Sequence, residues 1–408
     1  MTMKVRVLLA AVVVMISLAS VGCGHYTCGA TFGSSTCSGG NGGLNNGNNG
    51  GQPTGDAYVY VANPGGIQGM TLEEAKGTLV DNCTPSTCPS GLTDFPTGTP
   101  EWAVIAQKKI LYVEYSPSAD LTSSIYTWTL APDGLLTNGA STVYPYPLPF
   151  RTTGGAQAMI ENPAGTFLFV IDATAGNPQI DVYQIGSSGG LTQVGVPVSL
   201  PSGFQPYNLA IDGLGKYLYV SNISGSSTTK IMAYSISSGV LSTVLGSPFS
   251  LNLIQMQGDP TGKYLIGTTA TLTNSDPNLY VLGIAQSGAI SLLGSAATIN
   301  SPNSVVIQPG TGALVYSFNL VGGTVGGNVE GYTLNPLTGQ LSIITGSPFT
   351  AGGDAGQFDQ AGKLLFVRDL FGKNMSVYDV SSSFTLSSSV GSQSWDPDPW
   401  AWAVTDPN

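Results

Sequence analysis

Residues 215–222 read GKYLYVSN, and this short stretch decides the fold because its core recurs along the chain. A four-residue run rich in aromatic and aliphatic residues appears at 58–61, 110–113, 167–170, 217–220, 264–267, 314–317 and 364–367. The last residues of these runs are separated by 52, 57, 50, 47, 50 and 50 residues, which is the period of a four-stranded blade. The sequence therefore predicts an all-β, seven-bladed β-propeller of four-stranded antiparallel blades.

Each run lies within a longer unit that contains four predicted strands. An alternating apolar strand precedes the run, as at 208–211, and a turn such as 259–262 (DPTG) joins the two. The fourth strand opens with glycine and an aliphatic residue, as at 190–191. The third strand carries one bulky residue at a fixed offset, and alternation turns these residues towards a neighbouring blade. They are Met70, Trp128, Tyr183, Tyr234, Leu282, Tyr332 and Tyr378.

The two ends of the repeat array complement each other. The first unit begins at its second strand, near Ala57, and the chain ends in an extra first strand at residues 400–404. We therefore expect the C-terminal strand to pair with residues 58–61, which closes the ring and removes two exposed edges. An open repeat array or two sandwiches would explain neither this strand nor the sevenfold spacing.

The first 22 residues have the features of an export signal. Lys4 and Arg6 precede an apolar run at 7–16 that is too short to span a bilayer. Residues 20–23 read SVGC and match a bacterial lipobox, although leucine is more usual in the place of the serine. We predict a lipoprotein-type signal peptide at 1–22, a lipid on Cys23 and a periplasmic or outer-membrane place in the cell envelope. Cleavage near the same point without a lipid is the alternative.

Residues 23–55 are rich in Gly, Asn and Ser and hold too little apolar surface to offset their ordering entropy. They are predicted to be a flexible linker ahead of a propeller at 56–408. Apart from Cys23, the cysteines form two close pairs, Cys28 with Cys37 and Cys83 with Cys88. Both pairs are predicted to be disulfides in an exported protein. Zinc binding is the weaker alternative, because the chain has one histidine and two of the thiols lie in the linker.

The chain is acidic, with a formal net charge of −11. This charge argues against nucleic acid and anionic lipid as partners. The expected partner is a small carbohydrate or lactone, or a protein at the cell surface, and contact with the membrane is expected through the lipid anchor alone. A monomer without cofactor or metal is predicted.

The full repeat unit resembles a known family. Besides residues 215–222, the evidence is a GSPF segment at 246–249 that is repeated at 346–349. Over residues 56–408 the pattern is similar to the seven-bladed lactonase-type propellers, which include bacterial 6-phosphogluconolactonases and fungal carboxymuconate-cyclising enzymes. It is also similar to surface-layer propellers of the Tyr-Val-Thr-Asn type. The resemblance implies a ligand site at one mouth of the central channel.

Enzymes of that family often carry a histidine just after the proline that opens an inner strand. The matching positions here hold Glu101, Tyr207, Asn303 and Trp400, and the single histidine of the chain, His25, precedes the predicted propeller. A Ser–His or Cys–His catalytic pair is therefore absent from the predicted propeller. Lactonase chemistry would have to proceed without histidine.

Loops that follow second strands and loops that precede first strands form the predicted mouth. Beyond the export signal the chain has two arginines, Arg151 and Arg368, and both lie in or beside these loops. A guanidinium can bind a carboxylate or phosphate through two hydrogen bonds. Arg151 and Arg368 are therefore candidates to hold a ligand, with Asp172, Asp369 or Glu101 as acid or base. The alternative is that both arginines form ordinary ion pairs, for instance Arg368 with a nearby aspartate.

Three functions are consistent with these residues. The first is a binding or weakly catalytic propeller at the cell envelope that uses the channel mouth. The second is a sugar-lactone hydrolase similar to 6-phosphogluconolactonase that acts through carboxylates and arginine. The third is a structural surface protein that has no ligand pocket. The residues favour the first.

Overall fold

The structure is a computed structural model, and every regular element that it describes is a β-strand. It describes residues 28–31, 34–37, 57–63, 66–73, 78–81, 99–116, 122–132, 134–138, 144–147, 159–172, 178–222, 230–251, 253–269, 276–319, 327–369, 374–380, 384–386, 389–394 and 401–406. Within these ranges there is no helix, and so none long and apolar enough to cross a membrane.

The strands follow one another blade by blade. A separate hairpin has β1 (Cys28–Thr31) and β2 (Ser34–Cys37). Blade 1 has β3 (Ala57–Asn63), β4 (Gly66–Glu73) and β5 (Thr78–Asp81). Blade 2 has β6 (Thr99–Ala106), β7 (Ile110–Ser116), β8 (Thr122–Leu130), β9 (Leu136–Asn138) and β10 (Tyr144–Pro147). Blade 3 has β11 (Met159–Glu161), β12 (Phe167–Asp172), β13 (Gln179–Ile185), β14 (Leu191–Gln193) and β15 (Val198–Ser199).

The remaining four blades each have four strands in chain order. Blade 4 has β16 (Pro206–Ile211), β17 (Tyr217–Asn222), β18 (Ile231–Ser237) and β19 (Val240–Thr243). Blade 5 has β20 (Gln255–Gly258), β21 (Tyr264–Thr268), β22 (Asn278–Ile284) and β23 (Ile290–Ala297). Blade 6 has β24 (Pro302–Ile307), β25 (Leu314–Asn319), β26 (Val329–Leu334) and β27 (Leu341–Ile343). Blade 7 has β28 (Ala355–Phe358), β29 (Leu364–Asp369), β30 (Asn374–Asp379) and β31 (Gly391–Ser394), and β32 (Ala401–Thr405) follows it.

The last strand closes the ring. β32 pairs with β3 in an antiparallel register that sets Val59 opposite Val404, and blade 1 therefore has the order β32-β3-β4-β5. The predicted seven-bladed propeller and its closure by the C-terminal strand are confirmed. The seven first strands contact one another in a closed cycle, so they are the innermost strands and surround the central channel.

The seams between blades are apolar because the bulky residue of each third strand is turned towards a neighbouring blade, as the repeat pattern predicted. Each bulky third-strand residue lies opposite the second residue of its blade's four-residue run, as Tyr183 does opposite Leu168 and Tyr332 opposite Val315. All seven bulky residues are buried. Large side chains that alternate in this way supply most of the apolar surface that one blade buries against the next.

Tyrosines at the third position of the run add hydrogen bonds across four of the seams. The third residue of the run donates to a carbonyl in the turn before the fourth strand of the next blade. Tyr60 donates to Gly134 (2.7 Å), Tyr112 to Gly189 (2.9 Å), Tyr219 to Gly288 (3.1 Å) and Tyr316 to Phe384 (2.7 Å). Blades 3, 5 and 7 have Phe169, Ile266 and Phe366 at this position, which bury a ring or aliphatic chain without that bond.

The turn glycine at these seams is required by its backbone and its neighbour. Gly288 has φ +82°, and a Cβ on it would lie 2.4 Å from the Tyr217 ring. We expect Gly288→Val to lower the free energy of unfolding by about 2–4 kcal/mol, from left-handed backbone strain and overpacking together. Urea unfolding of the variant measures this loss. Gly294→Ala in β23 is the matched control, since nothing lies within 4 Å of its added Cβ, and equal losses in the two variants would contradict the explanation.

Turns between first and second strands lie at the opposite end of the channel from the predicted mouth. The Asp259 carboxylate closes one of them by accepting hydrogen bonds from the backbone N–H groups of Lys263 (2.8 Å) and Tyr264 (2.6 Å). Asp212 and Asp359 make equivalent bonds in blades 4 and 7. The aspartate of the repeated turn is therefore structural, because it satisfies backbone donors that the turn leaves free.

Four blades carry a segment that the pattern did not predict. After the fourth strand the chain returns and pairs with the third strand at one equivalent position. Its partners are Ile125, Ile180, Ile231 and Val329. In blades 4 and 6 the returning residues are Phe249 and Phe349 of the two GSPF segments, so this motif anchors the link to the next blade.

Most of the predictions for the N-terminus lie outside the described residues. These are the signal peptide at 1–22, the lipid on Cys23 and the disulfide between Cys83 and Cys88. Within the predicted linker the structure describes the β1–β2 hairpin, whose register sets Cys28 directly opposite Cys37. Such a register is compatible with a disulfide, which stays a prediction.

Candidate functional site at the channel mouth

Polar groups hold the first strands together around the channel. The Met256 N–H donates to the Asn208 side chain (2.9 Å), which joins blades 4 and 5. The Ile307 N–H donates to the Gln257 side chain (2.8 Å), which joins blades 5 and 6. Gln357 donates to the Trp402 carbonyl (3.3 Å) across the closing seam. These amide bonds join the first strands of blades 4, 5 and 6 and those of blades 7 and 1.

The half-exposed side chains of the first strands differ between two sides of the ring. Blades 5 to 7 contribute mainly amides and a hydroxyl, on Gln255, Gln257, Asn303, Ser304 and Gln357, beside the ring of Phe358. Blades 2 and 3 contribute mainly apolar side chains, which are Trp102, Val104 and Ile160, together with the carboxyl group of Glu161. The first strands therefore offer mostly hydrogen-bonding groups on one side of the channel and mostly apolar groups on the other.

The second strands end in polar residues at one end of the channel, as predicted, and we call this end the mouth. Asp172, Asn222, Asn319 and Asp369 are the last residues of β12, β17, β25 and β29. All four are buried, although they carry polar side chains. Their side chains therefore belong to hydrogen-bonded clusters within the seams more than to an open surface.

Arg368 forms a buried ion pair with Asp354, the residue before β28. The guanidinium donates through Nε to Oδ1 of Asp354 (3.3 Å) and through a terminal nitrogen to Oδ2 (2.5 Å). Both side chains are less than one-tenth exposed. The Asp354 carbonyl accepts hydrogen bonds from Asn303 and Ser304, so the pair is fixed to blade 6. Arg368 therefore forms an ion pair with a nearby aspartate, which the sequence analysis gave as the alternative to ligand binding.

Two carboxylates lie together in the seam between blades 2 and 3. Asp172 accepts a hydrogen bond from the Gln179 side chain (2.6 Å), and Asp181 accepts one from Gln193 (3.3 Å). Burial and the nearby charge of Asp172 raise the pKa of Asp181 to about 6, although the bond from Gln193 opposes this. A carboxyl group that titrates near neutrality can serve as a general acid or base.

Sequence reasoning found Asp172 but missed Asp181. The signal was present, because Asp181 lies two residues before the bulky Tyr183 and so projects into the same seam. Glu330 holds the equivalent position before Tyr332 in blade 6. Asp369 is placed at the mouth as predicted, but Arg151 and the side chain of Glu101 lie outside the described residues. Among the described residues, no group of three acidic, Cys or His side chains could hold a metal ion.

The protonation of Asp181 gives a pH-dependent prediction. Because the folded-state pKa of about 6 exceeds the ordinary value of 3.8, protonated Asp181 contributes stability below the ordinary value. That contribution is lost as the pH rises through about 6. We expect Asp181→Asn, which cannot ionise, to gain Tm relative to the unaltered protein as the pH rises from about 4 to about 6, and the difference to level off above that pH. Parallel thermal melts measure the difference, and a pH-independent difference would contradict the assignment.

The fold is a seven-bladed propeller in which amide hydrogen bonds join neighbouring first strands on one side of the channel. The sequence matches no protein-family model, and a search of curated proteins gives no significant match. Solved structures do match. A periplasmic gluconolactonase of Pseudomonas aeruginosa is 13% identical, with a TM-score of 0.61 over 86% of this chain and 99% of its own. A proposed 6-phosphogluconolactonase of Bacteroides fragilis is 15% identical, with a TM-score of 0.61 over 87% and 100%.

A protein from Lactobacillus plantarum, whose description names no activity, matches equally well. It is 15% identical, with a TM-score of 0.61 over 86% of this chain and 99% of its own. The structural neighbours are thus lactonase-like seven-bladed propellers. At these identities the likeness establishes the fold, and the chemistry has to be argued from the mouth.

Proposed function

We propose that this protein is a binding propeller that takes a neutral, hydroxylated ligand, such as a carbohydrate, into the mouth of its channel. The amino-terminal residues support a place in the cell envelope, with Cys23 as the lipid anchor and residues 24–55 as the tether. In this arrangement the tether holds the propeller clear of the membrane.

The two-sided channel is the observation that carries the proposal. Sugars present hydroxyl groups along their edges and apolar C–H groups on their faces. Amide side chains such as Gln255 and Gln357 both donate and accept hydrogen bonds, which suits hydroxyl groups. Trp102, on the other side, offers an aromatic surface for the apolar face. The guanidinium of Arg368 is already paired with the Asp354 carboxylate, so it does not favour binding of a phosphorylated ligand.

Calorimetric titration of the full chain with a panel of neutral oligosaccharides tests the proposal. We expect binding that is weakened at least about tenfold by Gln255→Ala and by Trp102→Ala, since each removes one side of the site. Leu245→Ala is the matched control, because Leu245 is 93% exposed. Binding that is unchanged in both channel variants would place the ligand elsewhere, and no binding by the panel would remove carbohydrate as the ligand class.

Sugar-lactone hydrolysis is the second candidate function. It is supported by the Asp172–Asp181 pair and by two structural neighbours that are described as lactonases. Asp181, whose pKa is raised to about 6, can activate a water as a general base. Base consumption with 6-phosphogluconolactone and unphosphorylated lactones is the test. Hydrolysis above the spontaneous rate that Asp181→Asn abolishes would establish it, and rates equal to buffer would exclude these substrates.

A further inference from the structure

The seam between blades 5 and 6 changes from apolar to polar at its mouth end. Ile266 and Val315 belong to the apolar cluster that joins these two blades. Thr268 lies two residues beyond Ile266, and Ser317 and Asn319 lie two and four residues beyond Val315. Because strand residues two apart share a face, all three polar side chains project into the same seam. Each of them is completely buried.

Glu330 projects into this seam from the third strand of blade 6. It lies directly opposite Ser317 in the strand register and is completely buried. Its carboxylate accepts hydrogen bonds from the Ile299 N–H (3.0 Å) and the Asn319 side chain (3.0 Å). The Tyr332 hydroxyl lies 3.3 Å from both this carboxylate and the Ala297 carbonyl, so the two acceptors share its one proton. These donors suit the ionised form, which only accepts. Among the described residues it forms no ion pair, so the seam encloses a negative charge without a protein cation.

Three oxygen atoms in the same seam as this carboxylate have no hydrogen-bond partner among the described residues. They are Oγ1 of Thr268, Oγ of Ser317 and Oδ1 of Asn319. The orientation of the Asn319 amide is set by its nitrogen, which donates both to Asn328 (3.1 Å) and to Glu330. Its oxygen is therefore turned away from those two acceptors. Buried polar groups are normally paired, so three such atoms in one seam indicate a bound species.

We propose that Thr268, Ser317, Asn319 and Glu330 form a binding site for a dehydrated monovalent cation, with Na⁺ as the reference ion. The inference is independent of the proposed carbohydrate binding. All four ligands are oxygen atoms, which hard cations prefer. A buried charge needs a partner of opposite sign, and one carboxylate neutralises one positive charge. Calcium would require more oxygen ligands and more negative charge than the described residues offer here.

The site predicts ion-specific stability of the full-length protein. We expect Tm in sodium chloride to exceed Tm in choline chloride of equal ionic strength by about 2 °C or more. This difference should saturate with sodium concentration and vanish in Glu330→Gln, which removes the charge but keeps the shape. Ser317→Ala, a smaller change, should at least halve it and serves as the second variant where Glu330→Gln does not fold.

A matched control separates this site from a general salt effect. Asp181 holds the equivalent position in blade 3, so Asp181→Asn should retain the full difference between sodium and choline. Sodium NMR of the unaltered protein should show line broadening that Ser317→Ala weakens. Equal Tm in sodium, potassium and choline salts, without line broadening, would overturn the proposal and assign the seam to water. An ion-specific shift that persists in Glu330→Gln and Ser317→Ala would place the ion elsewhere and overturn it as well.

Discussion

Deletion of residues 401–408 is expected to abolish the cooperative unfolding transition of the propeller. This segment contains β32, the innermost strand of blade 1, in which Ala401 through Thr405 are all buried. Its loss would expose the edge of β3 and uncover the channel face of β6 in blade 2. Because no other described strand can take this place, the ring would stay open.

Substitution of Trp402 tests the same ring closure by a smaller change than the deletion. Trp402 is 6% exposed and packs in the cluster between blades 7 and 1, so Trp402→Ala should cost about 3–5 kcal/mol of unfolding free energy. Leu245→Ala is the control for loss of an apolar side chain without burial, and we expect a change within about 0.5 kcal/mol. Thermal melts followed by circular dichroism report both. A cooperative melt of the truncated chain near the original Tm would show that closure does not hold the fold.

The second large effect is expected when the Arg368–Asp354 pair is broken. Arg368→Leu leaves the Asp354 carboxylate buried without its cation, which typically costs about 3–5 kcal/mol. Arg368→Lys should lose part of this, because an ammonium cannot reproduce the two-point contact. Urea unfolding of both variants, with m-values compared, gives the free energies.

A double variant tests whether the loss comes from the unpaired charge. Arg368→Leu combined with Asp354→Leu removes both charges, and replacement of a buried ion pair by apolar residues is often close to neutral. We therefore expect the double variant to be more stable than Arg368→Leu alone. If instead the double variant loses as much stability as Arg368→Leu and Asp354→Leu lose separately, the two side chains do not interact energetically. Arg368 is then available again as a ligand-binding residue.

The fold was predictable because the sequence repeats one strand pattern seven times. Seven spaced runs, one bulky residue per third strand and an extra strand at the C-terminus each had a single consistent explanation, and the structure confirms all three. The returning segments of blades 2, 3, 4 and 6 were not predictable. In blades 4 and 6 the segment pairs with the third strand through a single β-bridge. An element this short leaves no periodic pattern in the sequence.

The positions of the candidate residues on their strands were predictable, but their hydrogen-bond and ion-pair partners were not. Strand ends fixed where Asp172, Asp369 and Arg368 lie, since second strands all end at the same mouth. Whether a charge there is free or paired depends on which side chains the seams bring together. Asp354 is fourteen residues from Arg368 in sequence and becomes its neighbour only through the pairing of β28 with β29. Asp181 and Glu330 were missed because each is one polar residue within a strand that otherwise matches the repeat.

Ring closure by β32 also makes the formation of blade 1 depend on two distant parts of the chain. Val59 pairs with Val404, so blade 1 lacks its inner strand until these two segments meet. A chain that has formed its other blades but not this pairing has two open strand edges. Protease digestion during refolding of chains with and without residues 401–406 would measure how long such an open form persists. Completion of the circle, rather than of any single blade, is then the step that commits this chain to its native state.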